Sequence, residues 1–209
     1  MNRKSPVRGG EKNGSAARVV GNGRKDEARG RSTGAGSPLR LATEAKVLTI
    51  ARARTLRQQA RRGGRKVVFT NGCFDLLHAG HVQYLEAARR QGDLLIVGLN
   101  CDASVRRLKG KGRPIQGERD RALLVAALAA VDGVVIFEED TPARIIEALD
   151  PDVLAKGADW KASDIVGRDN VLARGGRVVR IPLRRGASTS TIIEKIVRTH
   201  RRAARAPSR

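Results

Sequence analysis

Two of the three histidines in this 209-residue chain, His78 and His81, flank an Ala-Gly pair in the stretch TNGCFDLLHAGHVQYL, residues 70–85. The apolar run KVVFT before it and the helical spacing after it place both imidazoles where a strand gives way to a helix. A helix start offers unpaired N–H groups and the positive end of the dipole, and Gly80 lets an anion approach the backbone. Histidines three positions apart in that first turn point at the same ligand. Packing or capping would account for a lone histidine; two in this arrangement favour hydrogen bonding to a phosphate.

Other side chains gather at similar junctions. Arg121 opens the helical stretch RALLVAALAAV, where a cation meets the unfavourable end of the dipole unless an anion is bound. Ser188, Thr189 and Ser190 in GASTSTII stand at the start of a last helix, where hydroxyls usually cap. Asp75, Asp102 and Asp159 follow the first, second and fourth apolar runs, and carboxylates at one sheet edge suit Mg2+, ribose or sugar hydroxyls, or helix caps, the two being evenly balanced for Asp102. Lys109 lies in the Gly-containing segment RLKGKGRP, read as a loop, where simple solvation is the default for a lysine. Cys73 and Cys101 have neither CxxC spacing nor a histidine partner, so reduced thiols in a packing role are expected and not a zinc site.

The elements that must position these groups are legible as alternating runs. KVVFT (66–70), DLLIVGL (93–99), GVVIF (133–137), DVLAKG (152–157) and RVVRIP (177–182) predict five buried strands. Helices are predicted at 80–91, 117–131, 141–149, 163–174 and 189–200, with Thr141-Pro142 as N-cap and N1. A further helix within TEAKVLTIARARTLRQQARR, 43–62, ends at Gly63-Gly64. Continuous apolar strands separated by helices imply an α/β Rossmann-like domain, a five-stranded parallel sheet covered on both faces. In such sheets ligands sit beyond the carboxyl ends of the strands, at a topological switch point.

The net charge of +21 suggests nucleic acid until it is divided along the chain. Residues 1–62 hold 16 Lys/Arg against 4 Asp/Glu, and residues 198–209 hold 5 Lys/Arg and no acid. Residues 63–197 hold 21 against 17, an ordinary balance for an enzyme of anionic substrates. Residues 1–40, rich in Gly, Ser and Arg and without an aromatic, are expected to be a disordered basic tail; 41–200 form the predicted domain and 201–209 a second basic tail. Nucleic acid is expected to bind only non-specifically, through the tails. No signal peptide or apolar run of membrane-spanning length is visible, so a cytoplasmic protein is expected.

The string GCFDLLHAGH resembles the HxGH motif of the nucleotidyltransferase superfamily. The likeness runs from about Lys46 to Lys195, through LNCDASVRRLKGKGRPI, RALLVAALAAVDGVVIFEEDTP, DPDVLAKGADW and GASTSTIIEKI. These strings resemble the D-glycero-β-D-manno-heptose 1-phosphate adenylyltransferases. The resemblance implies that ATP and the sugar 1-phosphate give ADP-heptose and pyrophosphate for lipopolysaccharide core, with Mg2+ bound mainly through the ATP phosphates. In-line substitution at phosphorus requires aligned reactants and stabilised oxygen charge, without a covalent protein nucleophile. The implied catalytic groups are His78, His81, Lys109 and Arg121. Nucleotide contacts fall on Thr70, Asn71, Gly72, Cys73, Phe74, Gly80, Asp159, Trp160, Ser188, Thr189 and Ser190, the last standing where the superfamily more often has Thr. Substrate contacts fall on Asp75, Asp102, Lys111 and Arg113. A homodimer is implied by analogy. The 62 residues before the first strand are too few for a sugar kinase, so a separate heptose kinase is expected upstream. The competing readings are a cytidylyltransferase using CTP with glycerol 3-phosphate or a similar alcohol phosphate and, more remotely, a basic nucleic-acid-binding protein.

Overall fold

The computed structural model describes residues 42–203; the expectations for residues 1–40 and for the end of the C-terminal tail lie outside them. In chain order the elements are α1 (Ile50–Arg62), β1 (Val67–Gly72), α2 (Ala79–Arg89), β2 (Leu94–Asn100), α3 (Asp102–Lys109) and α4 (Glu118–Ala126). They continue as β3 (Gly133–Phe137), α5 (Ala143–Leu149), β4 (Val153–Gly157), a 3-10 turn (Ala162–Asp164), α6 (Arg168–Ala173), β5 (Arg177–Ile181) and α7 (Thr189–Ala203).

All five strands are parallel, in the order β3-β2-β1-β4-β5. The central strands are apolar at nearly every position because both faces are covered. Leu85, Leu95, Val97 and Val125 pack on one side, and Phe69, Ile96, Ile146, Leu149 and Leu154 on the other, each burial contributing about 1.5–3 kcal/mol.

Several expected elements shift. α1 is shorter than the pattern over 43–62: Thr49 caps it, its hydroxyl accepting from the Arg52 amide at 3.3 Å. Val47 is extended and bridges Val134, where the sheet offers it backbone partners that outweigh its helical spacing. Pro142, and not Thr141, occupies the cap of α5, and α4 ends at Ala126. The segment after β2, read as loop, holds α3, with the Cys101 thiol as its cap, accepting from the Ser104 amide at 3.4 Å. Lys109 therefore ends a helix, and the Gly110–Gly112 turn follows it.

Going outward from β1, chain order runs β2, β3 on one side and β4, β5 on the other, so the switch point lies between β1 and β4. β1 pairs with β2 over six positions but with β4 over only two, Val68↔Val153 and Phe69↔Leu154. Past these the two strands part.

Candidate active site

Extending the β1/β4 register would set Thr70 opposite Ala155 and Asn71 opposite Lys156, but there the ladder has stopped and side chains close the seam. Tyr84, from α2, donates to the Ala155 carbonyl (3.3 Å) and shares a hydrogen bond with the buried Thr70 hydroxyl (2.7 Å). One step further along, the Lys156 ammonium donates to Asn71 Oδ1 at 2.6 Å. Burial raises the Tyr84 phenol to about 12, so it stays a neutral donor.

A cleft of about 620 Å3 opens above this seam. On the β1 side, His78 is the N-cap of α2: its Nδ1 accepts from the His81 amide at 3.3 Å, which leaves the proton of the neutral ring on Nε2. The two imidazoles stack with centroids 3.8 Å apart and planes at 17°, and the Phe74 ring stands edge-on to His81 at 5.2 Å. Phe74 adopts a left-handed backbone, φ 43°, in the turn that sets this ring against the pair. Desolvation, with the nearby His78 adding to it, lowers the His81 pKa to about 4; burial lowers that of His78 as well. Both are neutral at pH 7, so each ring carries one N–H donor and no fixed positive charge.

The start of α7 meets the start of α2 across the cleft. A Cβ on Gly80 would lie 3.1 Å from that of Ala187 and 3.0 Å from His78 Nδ1. The glycine thus permits close approach of the HAGH turn to the residue just before Ser188. The Ser188 hydroxyl accepts from the Thr191 amide at 3.0 Å, and the Thr189 hydroxyl reaches the Leu76 carbonyl at 3.5 Å. The two helix starts, over a hundred residues apart in sequence, meet at this cleft, each presenting the end of a helix that favours an anion.

The structure brings together Asn71, Gly72, Cys73, Phe74, Asp75, His78, Gly80, His81, Lys109, Arg113, Asp159, Trp160, Ser188, Thr189 and Ser190 around this cleft. It does not bring Thr70, Asp102, Lys111 or Arg121 to it. Thr70 is fully buried with its hydroxyl on Tyr84, which corrects its placement among the nucleotide contacts. Lys111 is exposed on the turn after α3.

Arg121 is fully buried, and its guanidinium donates to the carbonyls of Gln116 (3.0 Å), Cys73 (2.5 Å) and Asn100 (2.9 Å) and to Asp102 Oδ1 (2.7 Å). The anion expected at this cation is thus Asp102, within the protein, and Arg121 positions the ends of β1 and β2 from below. Asp102 is thus paired with Arg121 and does not line the cleft. Asp75, 2% exposed, accepts from Arg113 Nε (2.5 Å) and the Ile115 amide (2.7 Å), which anchors the segment after α3 over the cleft. With Asp75 and Asp102 so engaged, no group of three or more His, Cys, Asp or Glu among the described residues is arranged to hold a metal.

Lys156, Tyr84, Asp140 and Arg184 also line the cleft and were missed in the sequence. The signal for Lys156 was present: it is the one charge in the otherwise apolar run VLAKG, residues 153–157. Burial raises the Cys73 thiol pKa, so it is not a nucleophile at neutral pH. Among the described residues, no helix is long and apolar enough to cross a membrane.

A family model described as cytidylyltransferase-like matches residues 69–195. The bifunctional protein HldE of Citrifermentans bemidjiense is 60% identical over 137 residues, 66% of this chain and 28% of that protein. HldE of Magnetococcus marinus is 62% identical over 133 residues, 64% of this chain and 27% of that protein. The chain therefore spans little more than a quarter of the length of these curated relatives. A solved structure of the lipopolysaccharide core biosynthesis protein from Thermoplasma volcanium GSS1 shares 26% identity at a TM-score of 0.49, covering 58% of this chain and 98% of that one.

Proposed function

The chain belongs to the cytidylyltransferase-like family, and from that premise we propose that it is an adenylyltransferase. It transfers AMP from ATP to D-glycero-β-D-manno-heptose 1-phosphate, giving ADP-heptose and pyrophosphate. The observation that carries nucleotidyl transfer is the meeting of the HAGH and GASTS helix starts at Gly80 and Ala187, above the β1/β4 seam. Two helix starts facing one cleft suit a triphosphate. The choice of acceptor is supported by the strings RLKGKGRP and KGADW and by 60% identity to HldE across this domain.

In this reading an oxygen of the acceptor phosphate attacks the α-phosphorus of ATP while the bond to the β-phosphate oxygen breaks, and pyrophosphate leaves. His78 and His81, neutral at pH 7, donate hydrogen bonds to the phosphates and stabilise the charge that develops on them. Lys109 brings positive charge to the rim, where Arg113 is held by its ion pair with Asp75. Trp160, 47% exposed at the cleft, and Asp159 are placed to meet the nucleoside. Mg2+ belongs to the nucleotide as its counter-ion, entering with ATP. The heptose 1-phosphate comes from a sugar kinase, and a homodimer and a cytoplasmic location complete the reading.

The test is pyrophosphate release from the full chain with ATP or CTP against heptose 1-phosphate, other sugar 1-phosphates and glycerol 3-phosphate. Turnover only with ATP and the heptose supports the assignment. Turnover with CTP and glycerol 3-phosphate moves it to the cytidylyltransferases.

A further inference from the structure

Every position of β4 is buried, and its one charged side chain, Lys156, is 7% exposed. A buried charge is costly to a fold unless it is paired, so an ammonium here with no carboxylate bonded to it calls for an anionic ligand. Its hydrogen-bond partner is the neutral amide oxygen of Asn71 at 2.6 Å, and its charge lies 5.2 Å from the centre of the Trp160 ring. An ammonium has three donors, and Asn71 takes one.

The position of Lys156 points to the ligand. β4 lies between β1, which leads into the HAGH helix, and β5, which leads into the STS helix. Lys156 reaches across the switch-point seam to Asn71 of β1 and lines the cleft with His78, His81 and Ser188. It is therefore a cation on the floor between two walls already suited to phosphate.

We propose that Lys156 is a substrate-contacting residue whose ammonium binds phosphate oxygens of the nucleotide or of the acceptor, with Asn71 holding it across the seam until they arrive. The inference rests on the nucleotidyl-transfer reading above and adds a residue to it. Desolvation lowers the Lys156 pKa to about 8, against the opposing pull of Asp159 and Cys73, the titratable groups that face it. An arriving phosphate restores a preference for the charged form, so binding at pH 9 draws a proton from solvent.

Titration calorimetry on the full chain in two buffers of different ionisation enthalpy measures that proton. ATP and the sugar 1-phosphate are titrated separately, at pH 7 and pH 9, into wild type, Lys156→Met and Lys156→Arg. The expected result is proton uptake at pH 9, well above that at pH 7, with the ligand that meets Lys156. Lys156→Met abolishes the Lys156 share of this uptake and weakens that ligand by about tenfold or more, while the other ligand changes little. Lys156→Arg, charged at both pH values, retains part of the affinity without the uptake. The ligand affected tells whether the contact is to the triphosphate or to the acceptor. Wild-type affinity for both ligands in Lys156→Met, with proton uptake unchanged, overturns the proposal. If wild type binds neither ligand, the nucleotidyl-transfer reading itself falls, and this inference with it.

Discussion

A Cβ on Gly80 would stand 3.1 Å from the Cβ of Ala187, so the HAGH and STS turns are set against each other at a spacing too tight for a side chain unless one of them gives. Gly80→Ala is expected to push the turns apart by a few tenths of an ångström while leaving the fold intact. Misalignment of this kind costs on the order of tenfold or more in kcat/KM. Adding Ala187→Gly relieves one of the two clashes and should recover part of the loss; a double-mutant cycle on kcat/KM measures the coupling. Strict additivity of the two substitutions would show that the turns do not need each other.

The histidine pair leads to a prediction about pH. Burial disfavours the imidazolium of His81, with a pKa of about 4 against an ordinary 6.5. The unfolded chain therefore binds more protons than the folded one between these values, and stability should fall as pH drops from about 6.5 to 4. Histidine-selective NMR should show one ring titrating near pH 4, and chemical denaturation across the range should show the loss. His81→Ala is expected to lower turnover by about a hundredfold or more at pH 7 with little change in the melting temperature.

Removing Arg121 should act on stability first. Arg121→Met leaves three carbonyls and Asp102 without their donor, and uncompensated buried partners of this kind cost about 3–5 kcal/mol. Urea denaturation gives the value. A variant as stable as wild type with only its turnover lost would instead assign Arg121 a direct contact with substrate.

The seam between β1 and β4 can be probed with two hydroxyls. Tyr84→Phe strands the Ala155 carbonyl and the Thr70 hydroxyl and is expected to cost about 1–3 kcal/mol. Thr70→Val keeps the Tyr84 contact with Ala155, and because Thr70 does not reach the cleft, the KM for ATP should stay within about twofold of wild type. Steady-state kinetics beside denaturation curves separate the two effects.

The strands were legible in the sequence because a parallel sheet covered on both faces leaves their apolar runs unbroken, and the HAGH and STS turns because glycine and hydroxyls mark helix starts. α3 was hidden for the opposite reason. It has eight residues, buries only Ser104 and Val105, and is capped by a thiol, an uncommon acceptor at a helix start. Val47 has helical spacing in the chain but gains a strand partner in Val134, which local pattern cannot foresee. Arg121 displays its charge in the sequence without its partner, since Asp102 approaches only after the strand ends and helix starts are assembled. Lys156 was visible as a lone charge in an apolar run, but the gap it spans is a property of the sheet.

β1 and β4 share backbone hydrogen bonds for only two positions, and beyond them the halves of the sheet are joined by Tyr84, Thr70, Asn71 and Lys156. Side chains can be exchanged one at a time, whereas a ladder cannot. In a domain built this way positions 71 and 156 can be replaced singly with every strand keeping its neighbours, so the weakest-paired line in the architecture is also where its cleft is freest to diversify.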